Sequence, residues 1–305
     1  MRGDEDIGMT RVRGIYRWTD CGYLSGWRLQ AYYRDTAKYR LLSPRGRVTC
    51  QGGEAACRQA LFQTAERERL ARPSGRLVVL LHGLARNAWA MSWLANYLRR
   101  SWPETEVVVY QYASTAAPVD SHARHFVKFM EYAERASEVH FAAHSLGNIV
   151  LRRAFRLAEH GEWTLPRLGT HVMLGPPNQG SQIATRLQNF RPLAWFNGAS
   201  FMQLGRDWQS FVHELATPPC PFGIIAGHIP LLTRFHPLLS GPTDLLVRVE
   251  ETHLEGESDF MEVSVPHHRL MNSRRVQVAT LSFMKSGRFN ALQVPAPVQS
   301  PTMKE

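Results

Sequence analysis

No apolar run here approaches the length of a bilayer: the longest uninterrupted aliphatic stretch is Leu77–Leu81, against the ~20 residues a transmembrane helix needs. The first thirty residues scatter Asp4, Glu5, Asp6, Arg11, Arg13 and Arg17 among isolated apolar positions. They offer no continuous apolar core of a secretory signal, so the expected location is cytoplasmic. Cysteine is scarce: Cys21, Cys50, Cys57 and Cys220 include no CxxC pair. That excludes the common zinc patterns and suits unpaired thiols in a reducing compartment, a Cys50–Cys57 bridge being the alternative for an exported form. No metal and no cofactor is expected. Lysine is almost missing, with 4 Lys against 32 Arg, and no run of five basic residues occurs. The net charge of +10 and the isoelectric point near 9.8 therefore lack any helix-turn-helix, zinc-finger or RNA-recognition pattern to go with them. They read as a solvated surface rather than a nucleic-acid footprint.

What is present is a globular composition, 44% hydrophobic and 20% charged, in a chain long enough to bury roughly three quarters of its unfolded surface. Residues 27–50 read as short strands with turn chemistry at Ser43-Pro44-Arg45-Gly46, and 54–71 as an amphipathic helix. From Arg76 apolar strands (77–81, 106–111, 139–143, 171–174, 222–226, 260–265) alternate with helical stretches (88–100, 118–136, 147–159, 180–189, 206–215, 273–286). Almost wholly apolar strands alternating with helices imply an α/β fold: a mostly parallel sheet covered on both faces. The expected organisation is an extension over 1–25, one domain over 26–290 with a cap-like insertion at about 182–215, and a flexible tail over 291–305.

The chemistry concentrates at two strand ends. Val139-His140-Phe141-Ala142-Ala143-His144-Ser145-Leu146-Gly147 runs from a strand straight into a helix, with Ser145 at the junction and small residues two positions either side. Such a turn strains the serine backbone and projects its hydroxyl from the sheet edge, while bulkier neighbours would collide with adjacent elements. The Leu146 amide, at the helix N-terminus, then faces developing negative charge. Val78-Val79-Leu80-Leu81-His82-Gly83-Leu84 ends another apolar strand, and its His-Gly turn leaves the Leu84 amide free to act as the second oxyanion donor. His82 reads as a turn residue bonded within its own loop.

With these pieces, and with Leu174-Gly175-Pro176-Pro177-Asn178-Gln179-Gly180-Ser181, Gly241-Pro242-Thr243-Asp244, Val247-Arg248-Val249-Glu250 and His267-His268-Arg269-Leu270-Met271 in that order, the chain resembles the α/β-hydrolase family and its bacterial lipase- and esterase-like members. The likeness runs from about residue 76 to Phe289. It departs from the pattern at Ala143, where glycine is usual, at Asn148, and at Leu245, where such lipases carry glycine after the acid. The resemblance implies a triad in the order serine, acid, histidine: Ser145 as nucleophile, Asp244 as acid and His267 as base. Asp259 remains an alternative acid and His268 an alternative base.

The segment 190–208 (Phe190, Leu193, Trp195, Phe196, Phe201, Met202, Leu204, Trp208) and the stretch Ile229 to Leu239 are rich in apolar residues. In this family such insertions arch over the nucleophile, so they read either as an acyl pocket or small lid, or as ordinary packing beneath a loop. The expected substrate is a small-molecule or lipid-like acyl ester, with contact to an anionic membrane as a further partner. An acyltransferase or thioesterase would share the same acyl-enzyme. A non-catalytic hydrolase-fold protein that binds anionic membrane or nucleic acid is the alternative of another class.

Overall fold

The computed structural model describes residues 17–180, 199–205, 207–229 and 242–289. Two sheets organise the described residues. The first is antiparallel, β1 (Trp18–Leu24), β2 (Trp27–Tyr32), β3 (Asp35–Leu42) and β4 (Val48–Gly52), paired in that order and backed by α1 (Glu54–Glu68). The second is the sheet expected from the apolar runs: β5 (Arg76–Leu81), β6 (Thr105–Tyr110), β7 (Glu138–His144), β8 (Leu168–Leu174), β9 (Phe222–Gly227) and β10 (Asp259–Val263). Its six strands are parallel throughout, in the order β10-β9-β8-β7-β5-β6.

Period-2 alternation divides its side chains between two cores. Val79, Leu81, Phe141 and Ala143 pack under α3 (Val119–Met130) and α4 (Leu146–Glu159). Val78, Leu80, Ala142, Val172 and Ile225 pack under α2 (Ser92–Ser101) and α5 (Arg274–Ser286). Burial on both faces is why these strands lack polar alternation.

The topology fixes where chemistry can occur. The chain passes from β5 outward to β6, then returns across β5 to β7. Open parallel sheets bind ligands at the carboxyl edge beside such a reversal. Leu81 registers with Ala143 across β5 and β7, and His144 with Leu174 across β7 and β8. The loops after 81, 144 and 174 therefore leave the sheet side by side.

Three expectations change. The boundary at residue 25 cuts a hairpin: Trp18–Leu24 is a strand paired with β2, held to the main sheet where the Asp20 amide donates to the Gln111 carbonyl at 2.8 Å. The Asp20 carboxylate, wholly buried, accepts from the Gln111 amide at 2.9 Å and from Gln30 Nε2 at 2.7 Å and pairs with Arg28. The helix begun at 54 stops at Glu68, where Arg69 turns left-handed at φ 53°. The stretch 206–215 is two short turns, Trp208–Phe211 and Val212–Glu214, and the buried Leu204, Trp208, Phe211 and Leu215 belong to the core beside α3 and α4. That part of the expected cap is packing on the sheet's helical layer. The helix expected at 180–189, the apolar residues Phe190 to Phe196 and Leu231 to Leu239, the extreme amino terminus and the tail from 291 lie outside the described residues.

Candidate active site

Ser145 sits where β7 ends and α4 begins, at φ 52° and ψ −122°, a conformation that side-chain-bearing residues adopt only when surroundings over-determine it. Several contacts do so. The Ser145 amide donates to the Leu174 carbonyl at 2.9 Å. Asn148 Nδ2 donates to the carbonyls of Ala143 at 3.0 Å and Ser145 at 3.1 Å, spanning the bend from inside. Its Oδ1 accepts from His171 Nε2 at 3.1 Å. Burial pushes His171 down to about 3, so its ring is a neutral donor here.

Two glycines make room. A Cβ on Gly147 would lie 2.9 Å from the Leu81 Cβ and from the His82 carbonyl oxygen. One on Gly83 would lie 2.8 Å from His144 Nδ1 and 3.1 Å from the Ser145 Cβ. The β5 loop therefore passes directly against the serine. Its shape is set by His82, fully buried and stacked on Tyr112 at 4.3 Å between ring centres. His82 Nδ1 donates to the Gly83 carbonyl at 2.9 Å, and the Tyr112 hydroxyl donates to the His82 carbonyl at 2.6 Å. Burial lowers His82 to about 4, which keeps it neutral. Among the described residues no backbone carbonyl pairs with the amides of Leu84 or Leu146; for Leu146 this is the usual state of a first-turn helix donor.

Asp244 and His267 come together across 23 positions of sequence. His267 Nδ1 donates to Asp244 Oδ2 at 2.6 Å, and the His267 amide donates to the Asp244 carbonyl at 3.0 Å. Both are buried, at 1% and 4% exposure, so the pair is shielded from competing water. The second carboxylate oxygen accepts from the Leu246 amide at 3.0 Å and the Val247 amide at 2.8 Å, which fixes the plane of the group. A ring bonded through Nδ1–H presents Nε2 as its free basic nitrogen.

His144 links this pair to the elbow. Its Nε2 donates to the His267 carbonyl at 3.0 Å, and the two rings stand 4.6 Å apart. Gly175, at φ 53°, lies beneath: a Cβ there would come within 3.1 Å of His267 Nδ1. No hydrogen bond joins Ser145 to the His267 ring among the described residues; such contacts are commonly long until substrate is bound.

The alternatives fall elsewhere. Asp259 opens β10 at the opposite edge of the sheet, in register with Gly223, and its carboxylate accepts from the amides of Phe260 and Phe289. His268 is exposed, beside His267 but not bonded to Asp244. Partial burial lowers it, with help from Arg86 and Arg269. Sequence reasoning missed the positioning parts, Asn148, His171 and His144. The departure from glycine at 148 was the available signal. No group of three or more metal-ligating side chains occurs among the described residues, and no described helix is long and apolar enough to cross a membrane.

Residues 72–173, which carry both the His82–Leu84 loop and the Ser145 elbow, match the family described as "Putative serine esterase (DUF676)". No curated protein matches the chain. Among solved structures, the lipase BlEst2 of Bacillus licheniformis in its mature form is 15% identical, with TM-score 0.52 over 70% of this chain and 93% of that one. Its propeptide form gives 14% identity and TM-score 0.53 over 70% of this chain and 50% of that one. The sheet order and these likenesses show an α/β-hydrolase fold, within which residues 72–173 match that family's model.

Proposed function

We propose that the protein hydrolyses carboxylic esters through a Ser145–His267–Asp244 triad. The observation that carries the reading is the buried Asp244–His267 hydrogen bond at 2.6 Å, tied by His144 to the strained serine. In the reaction His267 Nε2 takes the proton of Ser145 as its oxygen attacks the ester carbonyl. Asp244 holds the imidazole tautomer and stabilises the imidazolium. The amides of Leu84 and Leu146 receive the oxyanion, a contribution of ~10²–10³ in turnover for one such donor. The imidazolium then protonates the leaving alcohol, and water, deprotonated by His267, resolves the acyl-enzyme.

Acyl chains of medium or long length are the proposed substrates, from the apolar sequence of Phe190 to Phe196 and of Ile229 to Leu239. A p-nitrophenyl ester series peaking at acetate would refute that preference. Ser145→Ala tests the chemistry: ester hydrolysis and fluorophosphonate labelling should vanish while the circular dichroism spectrum stays unchanged. Retained labelling of that variant would overturn the assignment.

A further inference from the structure

Trp89 and Trp93 are 78% and 65% exposed, the two most exposed large apolar side chains among the described residues. Burying an indole against protein is ordinarily favourable, so two of them left in water beside a candidate active site need a reason. They lie four positions apart, Trp89 on the 3-10 turn Ala88–Met91 and Trp93 in the first turn of α2. That turn follows the Leu84 loop directly. Met91 packs in one cluster with Leu270 and Met271, which places this turn against the segment carrying His267. Trp93 shares a groove of about 510 Å³ with Val265, Pro266 and Arg269.

Two arginines share this rim. Arg86 and Arg269 have no carboxylate partner among the described residues. Both bear on His268, whose proton affinity they depress after burial does, so their fields converge at the same rim. Exposed indoles flanked by unmatched guanidinium groups are the chemistry of a bilayer interface, where amphipathic rings sit at headgroup depth and basic groups meet anionic lipid.

We propose that Trp89 and Trp93, with Arg86 and Arg269, form a surface that adsorbs to anionic phospholipid bilayers beside the mouth of the Ser145 site. The proposal rests on the esterase reading for its purpose, since a bilayer is where a water-insoluble acyl ester would be met. Adsorption itself requires no catalysis. The wider charge of +10 draws the protein toward the membrane, and this rim sets its orientation.

The test is vesicle sedimentation of the full chain with phosphatidylcholine alone and with phosphatidylcholine containing phosphatidylglycerol, at low and high salt. Wild type should bind the anionic vesicles and lose binding as salt rises. Trp89→Ala/Trp93→Ala and, separately, Arg86→Gln/Arg269→Gln should each weaken it about tenfold or more, while hydrolysis of soluble p-nitrophenyl butyrate is unchanged. Ser145→Ala should bind like wild type, so loss of esterase activity and loss of adsorption report on separate claims. Equal binding by the tryptophan variant, equal binding to both vesicle types, or a shift of that variant from oligomer to monomer would overturn the proposal; the last would make this face a contact between copies.

Discussion

At Ser145 the backbone stands at φ 52°, and at Leu245, one residue past the candidate acid, at φ 88°; both lie where side-chain-bearing residues are strained. The surroundings differ. The elbow is flanked by Gly83 and Gly147, whose missing side chains let backbone approach to about van der Waals contact, and it is spanned by Asn148. The acid loop has leucine at its left-handed position and holds it with a mesh of short bonds. Thr243 Oγ1 accepts from the Leu245 amide at 3.1 Å and donates to the Val247 carbonyl at 3.0 Å, and the Asp244 amide donates to that same carbonyl at 3.2 Å. Strain at the elbow sits on the serine that does the chemistry. Strain in the acid loop sits on a neighbour, so it can be removed without touching a reacting group.

The sharpest way to break this comparison is at the acid itself. Asp244→Asn keeps the shape of the loop but removes the charge that fixes the His267 tautomer, and turnover should fall ~10⁴-fold with little change in KM. Steady-state kinetics alongside a thermal melt separates this from unfolding. On the elbow side, Asn148→Ala removes the side-chain amide from the Ala143 and Ser145 carbonyls and leaves the His171 ring without its buried partner. It should lose about 1–3 kcal/mol of stability, and turnover should fall with it. A variant that loses stability alone would show that the bend holds its catalytic geometry without the amide.

How much of this was legible in the sequence follows from how local each cause is. The parallel sheet was readable because strands buried on both faces need apolar side chains at every position, as in Leu77–Leu81 and Val139–Ala143. The elbow was readable because its steric demands fall within five consecutive residues. β1 was not, since Asp20 looks like a loop residue until Arg28 and Gln30 on the next strand and the Gln111 amide, 91 positions on, satisfy it. The choice between His267 and His268 was open for the same reason: only the fold shows which ring lies against Asp244. For the apolar residues after β8, hydrophobicity said they were covered but not by what, and Leu204, Trp208, Phe211 and Leu215 proved to be core.

The burial around the elbow has a pH signature of its own. Burial lowers His82 to about 4 and His122 and His171 to about 3, from an ordinary 6.5. Below about pH 6.5 the unfolded chain takes up protons at these sites that the folded chain refuses, so stability falls as pH drops from 7 toward 4. Melting temperatures measured at pH 7 and pH 5 should show the decline, and His171→Asn should make it shallower. An unchanged slope would mean that this ring is protonated in the folded state as well.

The smallest effect is expected at Leu245. A non-glycine residue at positive φ is strained by ~1–2 kcal/mol, while glycine returns about 0.4–1 kcal/mol through the greater freedom of the unfolded chain. Leu245→Gly should therefore raise stability by about 0.5–1 kcal/mol, and its kinetics should match wild type. The amide that Thr243 accepts from and those that Asp244 accepts from are all retained in the glycine variant. If glycine instead lowered kcat with KM unchanged, the leucine would be holding Asp244 against His267. The loop would then resemble the elbow after all, with its strain kept because the site needs it.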